Sequence, residues 1–398
     1  MNSFIYDIPT KVYFGKGQLE GNLWKEVAAL GRRVLLCYGG GSIKESGLYD
    51  KVLNELKAAN LEVFEFSGIE PNPRVDSVRA GAKICKEENI EVLLAVGGGS
   101  VIDAVKFIGA AAYYDGDPWD LTIKTAPITN SLPIVSILTL AATGSEMNSG
   151  GVISNLETQE KLGGGHPSMR PRVSFLDPEN TFTVSKYQTA VGAVDIFSHL
   201  LEIYFINDDM DMLSNIQEGL LKTVIKNAPI ALESPTDYEA RANLMWASSW
   251  AINGFLSSQQ NVAWTCHPIE HEISAFYDIT HALGLAIITP RWMEYVLDES
   301  TVNRFYRFGT EVWGLDKDQD KMAVAKQAIQ ATARFFYETL GLDDNLSVLG
   351  ITDEHFETMA NRVANRGDDG YLHGYKSLNQ QDIVNILNES LKAYSVEI

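Results

Sequence analysis

Cysteine is scarce in this sequence and histidine is not much commoner: three and seven among 398 residues. Cys37, Cys85 and Cys266 stand at wide, unrelated spacings, so they form neither a disulfide framework nor a zinc knuckle. A reducing cytoplasm suits such a chain best. Basic charge is also short, with 32 Lys and Arg against 52 Asp and Glu, a formal net charge of −20. That balance argues against nucleic acid and anionic membranes as partners, and solubility is its simplest meaning. Any anionic ligand is then held by a local pocket, not by the global field. Long apolar runs are missing too. The longest, Leu132 to Ala142, contains Ser136 and Thr139 and is too short to span a bilayer. Met1 to Asp7 has no basic region followed by an apolar core, so no signal peptide is expected.

What remains is an ordinary globular composition on a chain long enough for two domains. Its first half alternates. Strands are expected at Arg33–Tyr38, Leu61–Phe66, Ile90–Val96, Pro133–Leu140 and Val173–Leu176, the last closed by Asp177-Pro178. Between them lie helical patterns at Gly47–Ala59, Asp76–Glu88 and Ile102–Ala112. Short apolar runs separated by helices predict parallel strands with helices on both faces. After that the β signals stop. Ser185 and Gln188 form a capping-box pattern that opens a helix from Lys186 to about Ile206. Further helices are expected at Asp211–Asn227, Tyr238–Gln259, Lys321–Leu340 and Gln380–Tyr394. The expected organisation is an α/β domain over 1–180 and an all-helical domain over 181–398.

Two glycine turns follow strands. The second, Gly97-Gly98-Gly99-Ser100, runs into a helix carrying Asp103 and Lys106 one turn apart. A buried strand, a glycine turn and a helix start make a phosphate cradle, because glycine admits close approach and the helix end offers unpaired N–H groups. The first is Gly39-Gly40-Gly41-Ser42, with Lys44 just beyond. A dinucleotide site would place an acid at this early strand end to bind a ribose diol. A small residue, a hydroxyl and a cation suit a 2′-phosphate better, although a tight turn alone would also use glycine. A third group, Thr139, Leu140, Thr143, Ser145 and Glu146, lies at the end of the Pro133–Leu140 strand. Its hydroxyls can bind a cofactor or simply cap a helix. Lys161 can reach a pyrophosphate as a point charge, whereas a lone lysine is usually a surface residue.

Five residues in the helical half read as a metal site. Asp195 and His199 are four apart on one helix face, His267 and His271 repeat that spacing, and His281 follows Thr280, a candidate helix cap. A carboxylate with several imidazoles suits a divalent first-row metal. Singly, each histidine would be a buried or surface residue of no special role. A competing motif overlaps them: His267-Pro268-Ile269-Glu270-His271 matches the His-x-x-Glu-His of inverted zinc peptidases, with Glu270 as general base. That reading leaves the α/β half, Asp195, His199 and His281 without a role.

Together these residues resemble the iron-containing (group III) alcohol dehydrogenase family, most closely its butanol dehydrogenase and broad-specificity aldehyde reductase branch. The resemblance runs through Gly39–Ser42, Glu70-Pro71-Asn72-Pro73, Gly97–Lys106, Thr143–Glu146, Asp195–His199 and His267–His281. It implies an N-terminal Rossmann-like domain and a C-terminal helical domain, the dehydroquinate-synthase-like architecture. It implies metal ligands Asp195, His199, His267 and His281, with His271 relaying a proton without binding metal. It also implies that Gly97, Gly98, Gly99, Ser100, Asp103, Thr139, Leu140, Thr143, Ser145 and Lys161 line the cofactor, Asp103 taking part in catalysis. Gly39 stands where NAD-preferring members carry an acid, which favours NADP(H) with Gly40, Gly41, Ser42 and Lys44 around it. Members usually have glycine after the last histidine ligand, where this chain has Ala282. The implied activity is hydride transfer between NADP(H) and a primary alcohol or aldehyde such as butanol or butanal, assisted by Fe²⁺ or Zn²⁺, in a cytoplasmic homodimer. The architecture also serves a lyase-type reaction in dehydroquinate synthase, but that needs a cationic pocket, and the helical half shows no clear basic cluster.

Overall fold

The computed structural model describes residues 4–206, 210–258, 264–367 and 369–396. They form two compact units. The first comprises Tyr6–Ser185 with Pro235–Phe255, and the second is built from 186–234 and the chain after 255.

The first unit centres on a parallel sheet. Its strands are β1 (Lys11–Phe14), β2 (Arg33–Tyr38), β3 (Glu62–Phe66), β4 (Val92–Gly97), β5 (Ile134–Leu138) and β8 (Val173–Leu176), in the order β1-β8-β5-β4-β2-β3. Two strands, β6 (Gly150–Asn155) and β7 (Glu160–Gly165), pair apart as an antiparallel hairpin. The helices along this part are α1 (Leu23–Leu30), α2 (Ser42–Glu45), α3 (Leu48–Ala58), α4 (Val75–Glu87), α5 (Gly99–Ala111) and α6 (Pro118–Thr122). Side chains alternate across each strand. Val34, Leu36, Val92, Leu94 and Val96 join the core with α1 and α3, whereas Leu35, Cys37, Leu93 and Ala95 join the core with α4 and α5. Both faces are thus covered, as a parallel sheet requires. The register pairs Tyr38 with Val96 and Gly97 with Leu138, so the segments after β2, β4 and β5 leave the sheet at one edge.

The second unit is helical: α7 (Lys186–Tyr204), α8 (Asp211–Glu233), α10 (Cys266–Tyr277), α11 (His281–Val296), α12 (Val302–Glu311), α13 (Lys321–Arg334), α14 (Phe356–Ala364) and α15 (Gln380–Ser390). A π-helical turn, Phe335–Thr339, continues α13 where one helix to Leu340 was expected. Aromatic rings from Phe197, Phe205, Phe308 and Phe336 pack against one another within this unit. None of the helices among the described residues is long and apolar enough to cross a membrane.

Three features lie outside the sequence expectations. Strand β1 went unread because its four residues, Lys-Val-Tyr-Phe, form a half-exposed sheet edge, where apolar burial is weak. The β6–β7 hairpin went unread because Gly150, Gly151 and Gly163 to Gly165 erase the alternation a strand would show. The compact units do not divide the chain at a single point, because Pro235–Phe255 packs with the sheet. Helix α9 (Tyr238–Ile252) belongs with the sheet: Met245 enters its core, Ser249 Oγ donates to the Glu146 carboxylate, and Ser248 Oγ donates to Ala142 O at 3.2 Å. The expected extension of α9 to Gln259 reaches a residue outside the described ones.

Candidate active site

Each of the two units carries its own cluster of candidate residues. In the α/β unit the glycine turns lie at the C-terminal edge of the sheet, where open parallel sheets bind ligands. Gly40, Ser42 and Lys44 are exposed, and Gly39, Gly98, Ser100, Thr139, Leu140 and Thr143 are half-buried, so all of these reach the surface. The turns are built differently. A Cβ on Gly97 would fall 2.6 Å from Val101, and one on Gly99 would fall 2.2 Å from Thr143 Oγ1. Those two glycines answer to packing within the protein. Gly40 and Gly41 would meet nothing within 4 Å, and Gly41 has φ +118°. The Lys44 ammonium lies over the rings of Tyr38 and Tyr49, 5.2 and 4.6 Å from their centroids. Lys161, read from sequence as a possible surface lysine, is buried and donates to Asn72 Oδ1 at 3.0 Å.

Beneath this edge lies a buried polar network. Lys106 has no exposure and donates to Ser145 Oγ (2.7 Å), Asn148 Oδ1 (2.7 Å) and Gly150 O (2.6 Å). Asp103 accepts from Ser145 Oγ at 2.5 Å and from the Val152 amide at 2.9 Å. The acid and the lysine of α5 therefore hold the 143–152 segment from one side. Gly144 lets it lie on α9 from the other, with φ +62° and a Cβ position only 2.6 Å from Ser248 O. Burial pushes the Lys106 pKa down to about 8, against the pull of Asp103 and Glu146. Burial also raises the Asp103 carboxyl, against Lys106 and the Ser145 hydroxyl.

In the helical unit three helices converge. Asp195 and His199 project from α7, His267 and His271 from α10, and His281 is the first residue of α11. Thr280 occupies the N-cap position of α11 as expected, though its side chain makes no cap hydrogen bond. Ligand atoms of Asp195, His267 and His281 all lie within 4.8 Å of one another. His281 Nε2 is 3.8 Å from Asp195 Oδ1, and the rings of His199 and His267 stack with centroids 4.7 Å apart. Asp195, His199 and His267 are buried, whereas the His281 side chain keeps 23% of its exposure. His271 is nearby, its ring 5.3 Å from His281 and 6.2 Å from His267.

Sequence reasoning missed the residues that orient these rings. Glu202 accepts from His267 Nδ1, and Glu270 accepts from His281 Nδ1. The spacing of Asp195, His199 and Glu202, at i, i+4 and i+7, would have placed the first acid on the same helix face. Burial lowers His199 well below the ordinary range, with His267 and His281 adding to the effect, so it stays neutral. At His267 burial is outweighed by Glu202, Asp195 and Glu270, and its pKa is raised. His199 Nδ1 and His267 Nε2 are buried and find no hydrogen-bond partner among the described residues. Buried polar atoms are nearly always paired, so this donor set fits a divalent cation of the N,O-loving kind. Glu270, the general base of the peptidase motif, is fully buried and engaged by His281 and Ser274, which removes it from that role.

Residues 9–178 match the iron-containing alcohol dehydrogenase model, and 189–391 match the C-terminal model of the same family. The chain belongs to the iron-containing alcohol dehydrogenase family. Members similar to it include NADH-dependent butanol dehydrogenase A of Clostridium acetobutylicum, 50% identical over 98% of this chain and 100% of the relative. The NADPH-dependent aldehyde reductase YqhD of Escherichia coli is 37% identical over 92% of this chain and 94% of its own. The crystal structure of NADH-dependent butanol dehydrogenase A from Thermotoga maritima superposes with a TM-score of 0.93, at 38% identity, covering 98% of this chain and 99% of that one. This family member is therefore an oxidoreductase of the butanol dehydrogenase and aldehyde reductase branch, in a family that uses a nicotinamide cofactor and an iron-type metal. The lyase and peptidase alternatives are not favoured.

Proposed function

We propose that the protein is a metal-dependent alcohol dehydrogenase that reduces aldehydes, passing hydride between NADP(H) and a primary alcohol or aldehyde such as butanol or butanal. Asp195, His199, His267 and His281 hold one divalent ion, Fe²⁺ or Zn²⁺. The observation that carries the reading is the buried nitrogens of His199 and His267, without a hydrogen-bond partner among the described residues, beside the Asp195 carboxylate and His281. A metal held there would supply Lewis acidity at the substrate oxygen, and a nicotinamide would supply or accept the hydride. The chain supplies the rest. His271, close to His281 but not a ligand, moves the proton to or from the substrate oxygen. Gly98, Ser100, Thr139, Leu140 and Thr143 bind the cofactor, Gly97, Gly99 and Ser145 shape the turn and segment behind them, and buried Lys161 adds a cation. Asp103 contributes by holding Ser145 and strand β6 in place.

Preference for NADPH is part of this proposal. The Clostridium and Thermotoga relatives carry NADH in their names, and the Escherichia reductase carries NADPH. In this chain Gly39 brings no carboxylate to the ribose, while Ser42 and the exposed Lys44 stand two short steps beyond. Those groups suit a 2′-phosphate. The working form is a cytoplasmic two-fold dimer; light scattering that returned the chain mass of 44.0 kDa would contradict it. The test of the whole reading is oxidation of NADPH, with NADH alongside, by butanal before and after a strong chelator. Chelator-sensitive turnover supports the proposal, and turnover indifferent to the chelator would sink it.

A further inference from the structure

We infer that Glu202 and Glu270 are the positioning residues of the metal centre, each fixing one imidazole so that Nε2 is left for the ion. The inference rests on the proposed ligand set. His267 Nδ1 donates to Glu202, and His281 Nδ1 donates to Glu270. An ionised carboxylate only accepts, so each ring keeps its proton on Nδ1 and its lone pair on Nε2. His267 Nε2 accordingly finds no partner among the described residues, and His281 Nε2 faces Asp195. Neither acid is open to solvent: Glu202 is 3% exposed and Glu270 0%. The fold also makes space for Glu270. A Cβ on Gly284 of α11 would fall 2.7 Å from Glu270 Cγ, so glycine there lets the carboxylate lie under His281.

The two acids are not equivalent. Glu202 receives four donors: the amides of Thr265 (2.5 Å), Cys266 (2.8 Å) and His267 (3.2 Å), and the His267 ring. It serves as the cap of α10, whose own Thr265 makes no side-chain cap bond, and it brings negative charge to that helix N-terminus. An amide cannot replace it, because either orientation turns an NH₂ group onto donors. Glu270 accepts from His281 Nδ1 and from the Ser274 hydroxyl. That hydroxyl can turn, since Ile279 O lies 3.4 Å from it. Glutamine at 270 can therefore still accept from His281 Nδ1 through its carbonyl oxygen while losing the charge.

Full-length protein stripped of metal by dialysis against chelator, then titrated with Co²⁺, tests this. Binding is read from visible absorption and elemental analysis, and circular dichroism follows melting of the metal-free protein. Glu270→Gln is expected to melt like the parent and bind Co²⁺ about tenfold more weakly, and Glu270→Ala and Gly284→Ala about a hundredfold more weakly. Glu202→Gln is expected to weaken Co²⁺ binding by about ten- to a hundredfold and also to lower the melting temperature of the metal-free protein. Co²⁺ affinity unchanged in Glu270→Gln, Glu270→Ala and Glu202→Gln, while His281→Ala loses the ion, would overturn the inference and leave the ligand set standing. Parental Co²⁺ binding by His281→Ala would overturn the ligand set itself.

Discussion

Each unit holds a buried cluster of charged and polar side chains, and the two differ in how their atoms are used. In the α/β unit the Lys106 ammonium has three acceptors and both Asp103 oxygens have donors, all supplied by the protein. In the helical unit the Nδ1 atoms of His267 and His281 are held by acids, while His267 Nε2 and His199 Nδ1 have no partner among the described residues. The first pattern is architecture: α5 is tied to the 143–152 segment. The second is a donor set suited to something the chain does not itself provide. From sequence the two looked alike, since an acid and a lysine a helical turn apart are as suggestive as an acid and a histidine. Only the pairing of each atom separates them.

The comparison can be broken most forcefully by removing the metal. Chelation is expected to abolish butanal reduction, and returning Fe²⁺ or Zn²⁺ to restore it, while the circular dichroism of the α/β unit is unmoved. Next in size is Lys106→Met. It leaves Asp103 and three acceptors buried without their cation, so denaturant unfolding should show a loss of about 3 kcal/mol. Stability unchanged in this variant would show that the network is not structural.

These two predictions lean on features of unequal visibility. The parallel sheet was legible because buried strands such as Arg33–Tyr38 read as continuous apolar runs. The histidines were legible because two i, i+4 pairs share the same half of the chain. Glu202 and Glu270 were not read as partners of the histidines, because an acid that orients an imidazole looks in sequence like any other acid. Glu270 in particular sat inside a peptidase-like motif that suggested a different task. The assignment of α9 to the sheet unit was hidden for a similar reason: Ser248, Ser249 and Gly144 meet through tertiary contacts that no local pattern announces.

A smaller effect sharpens the contrast between the two glycine turns. Gly39→Asp is expected to move the NADPH-to-NADH ratio of kcat/KM toward NADH by roughly tenfold or more, about 1.4 kcal/mol or more. A Cβ there comes within 3.2 Å of Ile69 O, so the backbone must shift only slightly. A parent enzyme that favours NADH would contradict the strand-end argument. Smaller still is a pH effect. Burial lowers Lys106 from 10.5 to about 8, so above pH 8 the folded chain releases a proton that the unfolded chain keeps. Stability contributed by this group therefore rises with pH between 8 and 10.5, and Lys106→Met should flatten that part of the profile relative to the parent. Parallel profiles for the two proteins would show that Lys106 does not titrate there.

The most direct test of the metal centre compares His281→Ala with His271→Ala by elemental analysis, read beside NADPH-linked turnover of butanal. Loss of one imidazole from a four-ligand site should strip most of the metal from His281→Ala. His271→Ala should keep near-stoichiometric metal and reduce butanal on the order of ten- to a thousandfold more slowly. Metal retained by His281→Ala and lost from His271→Ala would contradict the account.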